Sequence, residues 1–180
     1  MERHTVLMTA EEMARTLDRL AYQILEKRGD SPDLALVGIQ RRGADIAKRL
    51  SHILSQRLQR PVLCGALDIA LYRDDWTSVG VRPSVGPTNI PFPIQGRDIV
   101  LVDDVLFTAR TARSALEALL DFGRPRHVEF LVLIDRGHHE LPIHADYVGR
   151  NVNTARNEHV DVFITERDGK DEVCLQVRQE

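Results

Sequence analysis

The chain has 180 residues, of which 43% are hydrophobic and 28% charged, and its formal net charge is −3. These values fit one ordinary globular domain and exclude a disordered chain, a collagen-like repeat and a wholly basic nucleic-acid binder. No apolar run reaches the ~20 residues of a membrane helix and no secretory signal is visible, so we expect no membrane association. The two cysteines favour a reduced, cytoplasmic protein over a disulfide framework.

Strands and helices are predicted to alternate along the chain. In chain order, the predicted elements are a helix from the capping box at Thr9–Glu12 to Gly29, a strand at 34–39, a helix at 44–58, strands at 62–71 and 99–102, a helix at 111–122, and strands at 128–134, 160–165 and 173–177. This alternation predicts a single α/β domain over residues 1–180, with a mainly parallel sheet and helices on both faces.

One long connection, residues 72–97, interrupts this alternation and contains four prolines. A connection of this length inside a compact domain usually has a function. We therefore predict a flexible lid loop here, and the alternative is a surface insertion without a function.

Candidate chemistry follows the predicted strand at 99–102. Asp103 and Asp104 come first, and residues 108–111 then lead directly into a helix. Backbone N–H groups and two threonine hydroxyls at a helix N-terminus favour a phosphate group. Adjacent carboxylates repel phosphate and suit sugar hydroxyls or a metal, so the pattern suggests a ribose 5-phosphate. The alternative is an ordinary aspartate cap with a threonine-rich turn.

The segment Val102–Thr111 resembles the phosphoribosyl-diphosphate loop of type I phosphoribosyltransferases. Three further segments, 37–43, 71–75 and 135–142, are similar to the PyrR-type pyrimidine-operon regulators, which often are uracil phosphoribosyltransferases as well. The matching segments cover nearly the whole chain in the family's order. The resemblance implies a type I phosphoribosyltransferase-like fold with a lid loop and a base-facing hood segment at about 135–160.

The resemblance implies that uracil and phosphoribosyl diphosphate react to give UMP and diphosphate, with Mg²⁺ carried by the substrate and no direct protein ligand. Asp103 and Asp104 would be catalytic. The substrate loop would consist of Asp103, Asp104, Val105, Leu106, Phe107, Thr108, Ala109, Arg110 and Thr111. The other implied site residues are Arg41 and Arg42 for diphosphate, Arg73 and Arg82 in the lid, and Arg136 and Val160 for the base. Ala109 stands where the family usually has glycine, and Arg41 where it usually has threonine.

The resemblance also implies a UMP-responsive regulator that binds the leader RNA of a pyrimidine operon as a homodimer or higher homo-oligomer. The candidate RNA-binding residues are Arg15, Arg19, Lys27, Arg28 and Arg150. Two alternatives stay open at this point. The first is a salvage phosphoribosyltransferase for pyrimidines or purines without RNA binding, and the second is an RNA regulator with negligible catalysis.

Overall fold

The structure, a computed structural model, describes residues 4–29, 31–72 and 87–177. Its elements, in chain order, are β1 (His4–Met8), α1 (Ala10–Arg28), β2 (Leu34–Ile39), α2 (Arg42–Leu58), β3 (Leu63–Leu67), a 3₁₀ helix (Ala70–Tyr72), β4 (Asp98–Leu106), α3 (Arg110–Leu120), β5 (His127–Asp135), β6 (Tyr147–Asn151), β7 (Glu158–Phe163), α4 (Thr165–Asp168) and β8 (Glu172–Val177). None of the helices in these ranges is both long and apolar enough to cross a bilayer.

Five strands form a parallel sheet in the order β3-β2-β4-β5-β6, and β1, β8 and β7 form an antiparallel sheet. The chain leaves β2 for β3 on one side and then returns to β4 on the other side. This reversal is a topological switch point, where open α/β sheets bind ligands at the carboxyl ends of the strands. The predicted α/β class with a mainly parallel sheet is confirmed.

Helices cover both faces of the parallel sheet. Along β4, Val100 and Val102 pack into a core cluster with α1 and α2, whereas Ile99 and Leu101 pack into a second cluster with α3. Successive strand residues point to opposite faces, so a strand that is buried on both faces has apolar residues at every position. This explains the continuous apolar run by which the strand was predicted.

The predicted first helix and its cap are confirmed. Oγ1 of Thr9 accepts from the N–H of Glu12 at 3.3 Å, and the N–H of Thr9 donates to Oε2 of Glu12 at 2.8 Å. The predicted strand at 62–71 is shorter than expected, because β3 ends at Leu67. Oδ1 of Asp68 accepts from the N–H of Ala70 at 2.9 Å and begins the 3₁₀ turn there.

Two observed strands, β1 and β6, are missing from the sequence prediction. β1 pairs with β8 from the other end of the chain, a contact that local patterning does not reveal. β6 contains only two apolar residues, Tyr147 and Val148. It also contains Gly149, where a β-carbon would lie 2.3 Å from the carbonyl oxygen of Leu133 in β5. The glycine that weakens the strand signal is therefore required by close packing.

Residues 73–86 of the predicted lid loop, including Arg73 and Arg82, lie outside the described residues. The last part of that segment is described. Asn89 forms an antiparallel bridge with Ala66 of β3, and Ile94 is buried. This part of the connection is therefore packed against an edge strand of the parallel sheet.

A buried acid joins α1 to the sheet. The side chain of Glu129 in β5 is only 5% exposed. It accepts from Nη2 of Arg28 at 2.6 Å, from Nζ of Lys27 at 2.8 Å and from the hydroxyl of Tyr147 at 2.7 Å. Burial raises the pKa of Glu129, but the three donors outweigh that effect and lower the pKa to about 2.

Glu129→Gln is expected to lower the free energy of unfolding at neutral pH by about 3 kcal/mol, because two cations lose a buried partner. The folded-state pKa of about 2 lies below the ~4.3 of an unfolded glutamate. The contribution of Glu129 is therefore complete at neutral pH and is lost as the pH falls from about 5 toward 2. Urea unfolding of both proteins at about pH 7 and about pH 4 measures this difference.

The control is Glu26→Gln, at an exposed position of α1, the helix that contains Lys27 and Arg28. We expect this variant to follow the wild type at both pH values. A gap between wild type and Glu129→Gln that stays the same at the lower pH would contradict the assignment.

Candidate active site

A cavity of about 300 Å³ opens where β4 ends and α3 begins. Its wall is formed by the end of β4, the following loop, the start of α3 and one residue of β5, namely Asp103, Val105, Leu106, Phe107, Thr108, Ala109, Arg110, Thr111, Ala112, Ser114 and Phe130. The structure thus gathers every residue of the predicted substrate loop except Asp104 around one cavity, at the switch point of the sheet.

The two carboxylates at the end of β4 differ in exposure. Asp103 is 7% exposed and lines the cavity, whereas Asp104 is half-buried. Oδ1 of Asp103 accepts from the N–H of Asp104 at 2.9 Å, and Oδ1 of Asp104 accepts from the N–H of Val105 at 2.9 Å. These bonds orient both groups. A fixed, ionised carboxylate only accepts hydrogen bonds, so it suits hydroxyl donors such as those of ribose.

No side chain in the described part of the chain makes a close cap at the start of α3. Ala109, just before it, is 2% exposed and has left-handed backbone angles, with φ 71° and ψ 6°. Oγ1 of Thr108 accepts only a long bond of 3.4 Å from the N–H of Arg110. The first turn of this 11-residue helix therefore keeps donor capacity beside the cavity, and the helix dipole favours an anion there.

The loop between β2 and α2 approaches the same strand end. A β-carbon at Gly43 would lie 2.5 Å from the backbone of β4 and 3.3 Å from Oδ1 of Asp103. Arg41 precedes α2 and is exposed, and Arg42 is the first residue of the helix. Nη2 of Arg42 donates to Oδ1 of Asp168 in α4 at 3.0 Å. The predicted diphosphate loop therefore lies next to Asp103, and Asp168 is a partner that the sequence did not reveal.

Arg136 follows β5 and is 4% exposed. Its Nε donates to Oγ1 of Thr154 at 3.1 Å, and its Nη2 donates to the carbonyl oxygen of Ala155 at 3.1 Å. The guanidinium carbon lies 3.9 Å from the centroid of the Phe107 ring, which lines the cavity. Burial lowers the pKa of Arg136. The Arg136 guanidinium thus packs against the ring of Phe107, which in turn lines the cavity.

Sequence reasoning missed the contacts that hold this wall. Thr154 lies 18 residues from Arg136 in the chain, so no local pattern joins them. The ring of His138 meets the Phe107 ring edge-on, with centroids 5.9 Å apart. Val160, the other predicted base-facing residue, lies in β7, where its side chain packs against the core cluster of α1 and α2. The structure therefore places Arg136 by the cavity, and it places the side chain of Val160 partly buried against that core cluster.

The candidate RNA-binding residues fall into two groups. Lys27 and Arg28 both bond to the buried Glu129, which neutralises part of their charge. The other three belong to a cleft of about 230 Å³ lined by Glu12, Arg15, Thr16, Arg19 and Arg150.

Three comparisons with known proteins agree with this geometry. The phosphoribosyl transferase domain model matches residues 6–166. Relatives with the name bifunctional protein PyrR include one from Thermus aquaticus, 54% identical over 94% of this chain and 93% of its own length. Another, from Elusimicrobium minutum, is 52% identical over 96% of this chain and 97% of its own length.

Solved structures resemble the chain in fold. The hypoxanthine phosphoribosyltransferase of Trypanosoma cruzi aligns over 98% of this chain and 97% of its own, with a TM-score of 0.70 and 22% identity. A purine phosphoribosyltransferase from Pyrococcus horikoshii aligns over 81% and 86%, with a TM-score of 0.60 and 23% identity.

Ala109→Gly is expected to tighten the binding of phosphoribosyl diphosphate several-fold. Glycine lets the backbone approach a phosphate more closely, which favours the bound state. Relief of the left-handed backbone strain, about 1 kcal/mol, stabilises the free and bound protein alike and does not change the affinity. Isothermal titration of both proteins measures the change. Ala118→Gly, in the last turn of α3 and outside the cavity lining, is the control and is expected to lose at least about 1 kcal/mol of stability without any gain in binding. Equal or weaker binding by Ala109→Gly would show that the loop has already adapted to alanine.

Proposed function

Because the chain belongs to the phosphoribosyltransferase family and, within it, to the PyrR proteins, we propose that it is bifunctional. As an enzyme it transfers the phosphoribosyl group of phosphoribosyl diphosphate to uracil. As a regulator it binds UMP in the same site and controls a pyrimidine operon by attenuation at the leader RNA. The observation that carries the enzymatic proposal is the cavity between the carboxylate of Asp103 in β4 and the start of α3.

The reaction joins N1 of uracil to C1 of the ribose, breaks the bond between C1 and the diphosphate oxygen, and releases the N1 proton. Positive charge develops on the ribose ring as the diphosphate leaves, so stabilisation of charge and positioning account for most of the catalysis. In the proposed arrangement, Asp103 and Asp104 accept from the ribose hydroxyls and face the developing cation. Thr108 and Thr111, with the N–H groups at the start of α3, bind the 5-phosphate.

The leaving diphosphate needs cations. In the proposal Arg41 and Arg42 bind it, because a guanidinium matches phosphate oxygens in shape and keeps its charge. Arg73 and Arg82 are proposed to reach the same group from the lid loop. Arg110 is already paired, since its Nε donates to Oε2 of Glu140 at 3.1 Å.

Magnesium is proposed to arrive with the diphosphate. Within the described ranges, no group of three or more histidine, cysteine, aspartate or glutamate side chains is arranged to hold a metal ion. The oxygen donors that fit Mg²⁺ are the carboxylates of Asp103 and Asp104, and this ion usually keeps several water and phosphate ligands. When bound, it would neutralise charge on the diphosphate.

The base is proposed to bind against Phe107, with Arg136 behind the ring. Uracil offers two carbonyl acceptors and a flat face, which suits an aromatic wall backed by a buried cation. Arg136 is held by Thr154 and Ala155. These contacts give the base site a fixed wall, and the backbone near Val160 is proposed to complete it.

Asp104→Asn is expected to lower kcat about 10²-fold or more, because it removes one preorganised negative charge near the ribose cation. Uracil-dependent release of diphosphate is the measurement, with hypoxanthine and guanine as alternative bases. The control is Asp33→Asn, since Asp33 pairs with Arg126 near the start of β4, at the far end of that strand. Release that requires a purine, or an unchanged kcat in folded Asp104→Asn, would contradict the proposal.

RNA is proposed to bind at the cleft of Arg15, Arg19 and Arg150. Two of these cations lie one turn apart on α1, and the third comes from β6. Arg19 donates to the carbonyl oxygen of Gly149, and Nη2 of Arg150 donates to Glu12 at 3.3 Å. α1 and β6 therefore place three arginines around one cleft, in which Arg15 and Arg150 pair with Glu11 and Glu12 and Arg19 has a carbonyl partner. A homodimer or higher homo-oligomer would present this cleft more than once to an RNA loop.

Arg19→Gln is expected to weaken leader-RNA binding and to lower the slope of log affinity against log salt by ~0.7–0.9, the contribution of one phosphate contact. Lys27→Gln is the comparison and is expected to have a smaller effect, because Glu129 already neutralises Lys27. Gel shifts over a salt series, with and without UMP, measure both. Identical slopes for Arg19→Gln and wild type, or no binding of leader RNA, would contradict the proposed surface.

A further inference from the structure

Ion pairs fasten the start of α2 to the turn that contains α4. Three charged residues of α2 lie three and four positions apart, so they share one face of the helix. Each pairs with a residue of α4. The pairs, in order along α2, are Arg42–Asp168, Asp45–Arg167 and Arg49–Glu166. The pairs Arg42–Asp168 and Asp45–Arg167 lie next to the predicted diphosphate loop, and together they form what we call the clasp.

The clasp is half-buried and well anchored. The side chain of Asp45 is 9% exposed and that of Asp168 is 19% exposed. Oδ2 of Asp168 also accepts from the N–H of Ile164 at 2.8 Å, so the backbone fixes this carboxylate. Its two oxygens lie 3.0 Å and 3.3 Å from Nη2 of Arg42. Salt screens such a pair less than an exposed pair, and loss of either partner leaves a charge with poor solvation.

Close packing restrains the same turn at a second place. Gly43 touches β4, since a β-carbon there would lie 3.0 Å from Cα of Asp103. At Gly38, a β-carbon would lie 2.4 Å from Cα of Ala44. The backbone of the loop at 40–43 thus has close contacts with β2 and β4. The clasp adds an electrostatic restraint from α4, which acts on this loop through the side chain of Arg42.

We propose that the clasp positions the diphosphate-binding loop, and that Asp168 is a positioning residue that holds the Arg42 guanidinium ready for diphosphate. The inference rests on the proposed function, in which Arg42 binds the leaving group. Both oxygens of Asp168 lie within 3.3 Å of Nη2, so the ion pair anchors the end of the Arg42 side chain and narrows the range of positions that it samples. A preordered arginine loses less conformational entropy when it binds an oxyanion.

This role predicts a defined kinetic pattern. Orientation of Arg42 affects the binding of diphosphate in the ground state and in the transition state alike, so its loss raises KM and leaves kcat nearly unchanged. The binding of uracil should not change, because its proposed site at Phe107 and Arg136 has separate supports.

The test is isothermal titration with magnesium phosphoribosyl diphosphate and, separately, with magnesium and inorganic diphosphate. Asp168→Asn is expected to weaken both about 10-fold and to raise the KM for phosphoribosyl diphosphate by a similar factor, with kcat and the KM for uracil within about 2-fold. Asp168→Glu keeps the charge and is expected to recover part of the loss. Binding is measured without turnover, so a protein that binds diphosphate but does not transfer uracil would refute the proposed function and still test the clasp.

A double-mutant cycle with Arg42→Gln tests whether Asp168 acts through Arg42. Asp168→Asn is expected to cause no further loss in the Arg42→Gln background. The matched control is Glu166→Gln on the same turn, because its partner Arg49 also bonds to Asp171 at 2.8 Å. The proposal is overturned if Asp168→Asn binds diphosphate like the wild type, if its effect persists without Arg42, or if Glu166→Gln loses as much binding.

Discussion

At Gly43 the backbone of α2 comes so close to β4 that a β-carbon would lie 2.5 Å from the carbonyl oxygen of Val102. This approach brings the loop after β2 against Asp103, across the switch point of the sheet. The cavity, the carboxylates and the predicted diphosphate loop meet at one place only because this contact is possible. A larger residue would push α2 away from β4 and separate the arginines from the acids.

Opposite charges reinforce this geometry at two places. Near the start of β4, Asp98 bonds to Arg126 and His127, and the Arg126 side chain holds the pKa of Asp98 well below its usual range. Between α2 and the segment before β8, Arg49 lowers the pKa of Asp171 to about 2. Each of these arginines also pairs with a second acid, Arg126 with Asp33 and Arg49 with Glu166. These ion pairs hold the secondary-structure elements in place at positions outside the cavity. The residues that line the cavity therefore lie on a rigid support, as a precise site requires.

The sequence was sufficient to predict the elements with local signals and the loop with a distinctive motif. The capping box at Thr9 and the buried run at 34–39 were predictable because neighbouring residues alone determine them. The loop at 103–111, most of which lines the cavity, was predictable as a candidate site because its residues are consecutive. β6 was not, since Gly149 is required by the carbonyl of Leu133, which no nearby residue indicates. The hydrogen bond between Arg136 and Thr154 was not predictable either, because the two residues are 18 positions apart in the chain.

Charge shows this limit most clearly. The sequence contains 24 lysines and arginines, and composition cannot tell which of them keep their charge available. Lys27 and Arg28 look like exposed cations near the end of a helix, yet the buried Glu129 engages both. Arg19 instead donates to a neutral carbonyl oxygen at the edge of a cleft, and this partner does not offset its positive charge. The partner that an arginine already has therefore decides how it can act on a ligand. A carboxylate partner reduces its long-range attraction but can hold it in place for a direct contact, as proposed for Arg42, whereas a carbonyl partner leaves the long-range attraction intact.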